Sequence, residues 1–124
     1  MNHDLEESMF IGYAVAVVLF AALLVFSGRG VLVKDETVVA SLTTVGVPPS
    51  WFVPLAAVKF AGALGLLAGL VYRPLGIAAA AGVLLFFAGA VVSHLRVRDM
   101  KGAPAPAALM VLAVAPLTLG IASV

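Results

Sequence analysis

Few residues in this chain are able to do chemistry, and one stands apart from the rest. Lys59 sits inside an otherwise apolar run from Trp51 to Tyr72. An ammonium at the centre of a membrane helix costs about 2.5–3.5 kcal/mol, so it needs a partner or a route to the headgroups. Counted from Trp51 it lies about 12 Å along a helix; counted from Pro54, whose fixed φ suits a first helical residue, about 7.5 Å. At the shorter depth the stem can snorkel to the interface, although the positive end of the helix dipole disfavours a cation there. The apolar runs contain no Asp or Glu. Partners for Lys59 are therefore Asp99, Asp35 or Glu36 from the connections, or a ligand offering an anion or a quinone carbonyl.

The second constellation is His94-Leu95-Arg96-Val97-Arg98-Asp99. It could form the polar mouth of a pocket, with His94 moving a proton near neutral pH and Arg96 holding an anion. It also reads as an ordinary helix end, because cations favour helix C-termini and basic residues mark cytoplasmic boundaries. The helical stripe through Gly76, Val83, Phe87 and Ala90 that leads to His94 suits packing and a pocket equally. Other chemistry is excluded by what is missing. Without cysteine there is no thiolate, disulfide or thiol relay within this subunit. His3 and His94 are too few for a haem held between paired histidines, and no cluster has zinc-ligand spacing. No metal and no cofactor intrinsic to the chain is expected; a substrate anion or a quinone would serve equally as the outside ligand.

The elements that must position these residues are membrane spans. Of 124 residues 64% are apolar and 10% charged, with 7 basic against 6 acidic, and the mean hydropathy is +1.21. Soluble domains carry about 25% charged residues, so a water-soluble globule is excluded, as are a disordered chain and a nucleic-acid binder. Crossing about 30 Å of hydrocarbon takes about 20 mainly apolar residues. Segments near 9–26, 51–72, 74–93 and 104–123 qualify, within a single domain over 1–124. Short connections such as Tyr72-Arg73-Pro74 force antiparallel neighbours, which predicts an all-α, antiparallel four-helix transmembrane bundle. The acidic residues at the start of the chain argue for a retained first helix over a cleaved signal peptide. Arg29, Lys34, Arg96, Arg98 and Lys101 fall on one side and Arg73 on the other. By the positive-inside rule, connections 27–50 and 94–103 are cytoplasmic and both termini outside. Within the longer connection, Lys34-Asp35-Glu36-Thr37 opens a short amphipathic interfacial helix with Val38, Leu42 and Val45 on one face; Gly46 and Pro48-Pro49 end it. Trp51, Tyr72 and Tyr13 read as interfacial anchors.

Helices in lipid pair through small residues that let backbones approach. Gly62, Gly65 and Gly69 form such a stripe on the second span. Gly82, Gly89 and Ser93 form one on the third, and Ala105, Ala108, Ala115 and Ala122 one on the fourth. These stripes predict contacts within one chain, and a homo-oligomer stays open. Pro116 removes a backbone donor inside the fourth span and should bend it.

The stretch Val58-Lys59-Phe60-Ala61-Gly62-Ala63-Leu64-Gly65-Leu66-Leu67-Ala68-Gly69-Leu70, the preceding Gly46-Val47-Pro48, the run Ala78-Ala79-Ala80-Ala81-Gly82 and the helix end His94-Leu95-Arg96 together resemble the DoxX-like family of small bacterial membrane proteins. The resemblance implies four spans and association with membrane oxidoreductase systems, the family being named after a subunit of a thiosulfate:quinone oxidoreductase. It also implies a bacterial plasma (inner) membrane and a membrane or peripheral oxidoreductase partner. The absence of cysteine departs from any sulfur relay. Three functions compete: an accessory or quinone-contacting oxidoreductase subunit with Lys59 and His94 lining a pocket, an assembly or scaffold factor, and a small-solute transporter. The last is disfavoured for cations, because no span holds the carboxylate that would couple them to protons.

Overall fold

A computed structural model describes residues 3–122 as an all-α bundle. Residues 1, 2, 123 and 124 lie outside the described residues, and with them the last position of the expected fourth span. The helices are α1 (His3–Leu32), α2 (Glu36–Thr44), α3 (Phe52–Ala68), α4 (Arg73–Arg96) and α5 (Pro104–Ala122), with one 3-10 turn, Pro49–Trp51, leading into α3. Asp4–Leu32, Pro49–Ala68, Arg73–Arg96 and Pro104–Ala122 are each long and apolar enough to cross a bilayer, so this is a multi-pass membrane protein. α1 packs on α3, α3 on α4, α4 on α5, and α5 closes back on α1.

The core follows from helical periodicity. Tyr13, Val17, Phe20, Ala21 and Leu24 of α1 meet Ala63 and Leu66 of α3, Ala80, Val83 and Phe87 of α4, and Ala113 of α5. A smaller cluster of Val31, Phe52 and Ala56 is covered by Val38, Val39 and Leu42 of α2, with Val47 and Phe60. The short helix therefore docks on one end of the bundle by its apolar face. Its first turn is capped by Asp35, whose Oδ1 accepts from the amides of Thr37 at 3.1 Å and Val38 at 3.3 Å.

Helix ends differ from the sequence boundaries for physical reasons. α1 has 30 residues, about 45 Å of helix, which is longer than the about 30 Å of hydrocarbon it would cross. Ser27-Gly28-Arg29 does not stop it; the chain leaves only where Lys34 turns left-handed at φ 55°. There the Asp35 amide bonds Gly30 O at 3.0 Å and the Lys34 amide Val31 O at 3.2 Å, the paired bonds of a Schellman ending. α2 ends the same way at Gly46, φ 83°, with Val47 N to Leu42 O at 2.9 Å. α3 stops at Ala68, short of Tyr72, because the chain reverses there into α4.

Three packing expectations are corrected. Of the stripes, only the one on α3 makes a tight helix contact. A Cβ added at Gly65 would lie 2.7 Å from Ala79 Cβ, and one at Gly69 2.5 Å from Gly76 Cα. Gly82 and Gly89 have nothing within 4 Å of such a Cβ and are exposed, with Ser93 bonding back to Gly89 O at 2.9 Å. α4 instead packs through Gly76, Ala80, Val83, Phe87 and His94. Ala105, Ala108, Ala115 and Ala122 likewise face outward, and α5 turns Ala113, Pro116 and Gly120 inward. Stripes of small residues mark where a helix can be approached, not which side the bundle uses. Tyr13 is not an exposed interfacial anchor: it is 1% exposed, enclosed between helices at the end of the bundle where α3 turns into α4, against Gly69, Gly76 and Gly120, whereas Trp51 and Tyr72 stay exposed.

Candidate functional site

Lys59 projects from α3 toward α1 and α4. It lies seven positions beyond Phe52, the first residue of α3, which places it about 10.5 Å along the helix. Its ammonium donates to Ser27 Oγ on α1 at 2.5 Å and lies 5.9 Å from the ring centroids of both Phe86 and Phe87 on α4. Those rings meet edge to face, 5.3 Å between centroids at 89°, and Phe87 is braced by Phe20 at 6.4 Å. Lys59 is therefore held against the bundle, and among the described residues it meets no acid. Of the acids expected to pair with it, Asp35 caps α2 and Asp99 bonds His94. A lysine ammonium has three donors, so the hydroxyl of Ser27 leaves two to spare.

The same amine closes one end of a groove of about 410 Å³ between α3 and α4. Gly62, Gly65, Ala61, Ala78 and Gly82 make it by what they lack, and Val58, Leu75, Val83 and the two phenylalanines wall it. Because α3 and α4 run antiparallel, Lys59 and Phe86 stand at the end nearer the basic connections, and Leu75 at the other. Along α4 from Leu75 to Phe87 the groove extends about 18 Å. Its volume lies within the range of about 300–1,000 Å³ usual for small-molecule sites. One donor-bearing head position and a long apolar trough suit an amphiphile.

His94 and Asp99 come together elsewhere. α4 ends at Arg96, and Arg98 turns left-handed at φ 57°. The Asp99 amide then bonds His94 O at 2.8 Å and the Arg98 amide Leu95 O at 3.1 Å, a third Schellman ending. The turn carries the Asp99 carboxylate back over the ring, so that Oδ2 is 2.8 Å from His94 Nδ1. A carboxylate only accepts, so Nδ1 carries the proton. Nε2 lies 3.4 Å from Ser41 Oγ on α2, and the Gly102 amide donates to Asp99 Oδ1 at 3.0 Å. The His94 bond first, and the Gly102 amide second, hold the Asp99 carboxyl below its ordinary value against the opposing effect of partial burial.

Ser41, His94 and Asp99 thus follow the order of an acyl-transfer triad, but Ser41 lies inside a helix whose amides are spent on helix carbonyls and on the Asp35 cap. Nothing there resembles the paired free amides of an oxyanion hole. The arrangement is a clasp that ties α2 to the end of α4. Of the four expected pocket residues only Lys59 lines the groove; His94 and Asp99 form the clasp. Arg96 is exposed, and among the described residues its side chain makes no hydrogen bond or ion pair.

Sequence reasoning missed Ser27, Ser41 and the aromatic pair. Ser27 was findable, since Val31-Leu32-Val33 resumes the apolar pattern after it. At the far end of the bundle, Arg73 lies 4.1 Å above the Tyr13 ring and donates to Gly69 O at 3.3 Å. Among the described residues, Arg73 Nε and the Tyr13 hydroxyl are both buried without a hydrogen-bond partner there.

The profile of the DoxX-like family matches residues 15–116, a stretch containing α2, α3, α4, the groove and the clasp. No curated protein and no solved structure matches the chain.

Proposed function

The chain belongs to the DoxX-like family, and from that premise we propose that it is an accessory, quinone-contacting subunit of a membrane oxidoreductase system. The observation that carries this reading is a lysine with unspent donors at the head of an apolar, bilayer-facing groove. The donor set fits a quinone: Lys59 donates to a ring carbonyl, Phe86 and Phe87 flank the ring, and the glycine-lined trough takes the tail. A bound quinone would supply two-electron, two-proton redox chemistry. The chain's own part is to hold and orient the ring and to keep water from it. Electrons come from a membrane or peripheral oxidoreductase partner. In this reading the basic end, with Arg29, Lys34, Arg96 and Arg98, faces the cytoplasm of a bacterium.

The test is binding of a short-tailed ubiquinone analogue to the reconstituted full chain. Lys59→Met should weaken it about tenfold, the worth of a hydrogen bond to a charged donor. Equal binding by the variant, with protein level and fold unchanged, rejects the site. The outward small-residue faces of α4 and α5 favour a second reading, a scaffold that docks other spans. Mild-detergent pull-down separates the two: an oxidoreductase among the captured proteins supports the first, a folding client the second.

A further inference from the structure

The charge of Lys59 is the one feature that a neutral quinone leaves unanswered. We propose that the groove binds long-chain carboxylates, single-chain acids whose head pairs with Lys59 and whose tail fills the trough toward Leu75. This inference rests on the groove and its amine and does not depend on the quinone.

Charge complementarity is the first ground. Among the described residues the four spans hold no carboxylate within reach of Lys59, and its one polar contact is a neutral hydroxyl. An ammonium at this depth is costly unless it finds an opposite charge. The faces of Phe86 and Phe87 at 5.9 Å soften that cost without neutralising it. An ionised carboxyl would accept from the free N–H donors at the groove end and leave Ser27 in place.

Shape and direction are the second. The groove is polar at one end only, extends about 18 Å along α4, and runs with the helices, as an acyl chain does. Its lining is small where the chain would lie, at Ala61, Gly62, Gly65, Ala78 and Gly82. Depth chooses among acidic lipids. Lys59 stands about two turns inside α3, so a phosphodiester headgroup with two chains would have to leave the interface to reach it. A carboxyl on a single chain has less to overcome, because it can enter the hydrocarbon protonated and neutral, which a phosphodiester cannot.

The test uses the full chain in phosphatidylcholine nanodiscs and a photoreactive diazirine analogue of palmitate. Crosslinks should map to α3 and α4 between residues 58 and 87, and oleate should compete while methyl oleate and phosphatidylglycerol do not. Lys59→Met should lose about tenfold in apparent affinity while Lys59→Arg retains it. Gly82→Leu fills the trough where an added Cβ meets nothing within 4 Å, so it should fold normally and also lose the probe. Crosslinks spread evenly over all spans, equal competition by the methyl ester, or full binding by Lys59→Met would each overturn the proposal. A ubiquinone analogue added to the same assay reports on the other reading. Displacement of the probe supports a shared groove. Binding of the acid with no effect of the quinone removes the quinone reading and leaves this one standing.

Discussion

Alanine at two glycines, Gly69 and Gly82, should move stability in opposite directions, and the contrast tests the helix arrangement directly. Both glycines have right-handed helical backbone or lie at its edge: Gly69 caps α3 at φ −62° and Gly82 lies within α4. Alanine is therefore allowed by the backbone at each, and the difference is steric. At Gly69 the new methyl would fall 2.5 Å from Gly76 Cα and also against the Tyr13 hydroxyl. The first obstacle is backbone, so no rotamer change relieves it and α3 and α4 must move apart. Overpacking of this kind costs about 1–3 kcal/mol. At Gly82 the methyl meets nothing within 4 Å, and alanine gains about 0.8–1.0 kcal/mol in helix propensity. The gap between the variants should be about 2–4 kcal/mol. Reversible unfolding in mixed micelles titrated with SDS, followed by far-UV circular dichroism, measures it. Equal destabilisation by both substitutions, or a neutral Gly69→Ala, would refute the close α3–α4 crossing and with it the walls of the groove.

Other outcomes follow from the orphaned and strained groups. Tyr13→Phe should leave stability unchanged or raise it by up to about 1 kcal/mol, because the hydroxyl it removes is buried without a partner; the same SDS titration reads it. Arg98→Gly should be stabilising by about 1 kcal/mol, since it relieves a left-handed residue at φ 57°, while Arg98→Val should destabilise. The clasp has an acid limb. A carboxyl with a lowered folded pKa contributes fully above its ordinary value of 3.8 and loses that contribution as pH falls through the lower folded value. Docking of α2, followed by hydrogen exchange of its amides, should thus hold from neutral pH down to that region and loosen below it. Asp99→Asn should loosen α2 at every pH and abolish the acid limb.

Hydropathy alone made the bundle legible, because lipid tolerates only closed backbone hydrogen bonding and four runs had the length for it. The short helix was legible too, since Asp35, Gly46 and Pro48 punctuate it by local chemistry. Which side of each span faces in was not. In water an apolar stripe declares the core side, whereas here every side is apolar and the pattern carries no direction. Hence Gly65 and Gly69 lie at a contact, Gly82 and Gly89 do not, and Ala105 and Ala115 face away from the bundle, although all looked alike.

The same loss of contrast explains the miss at Lys59. A charge in a membrane directs the search toward an opposite charge, and the sequence offered three acids near the right end. Two of them are engaged in local structure: Asp35 accepts two amides of α2, and Asp99 closes the turn after α4. Acids near helix ends carry local work first, because capping needs a neighbour two or three residues away, and a long-range pair competes with it. The amine therefore settles for a hydroxyl on the next helix and the faces of two rings, none of which cancels its charge. That imbalance sits where small side chains leave room for a ligand, and an acceptor entering from the bilayer would meet donors already oriented by Ser27.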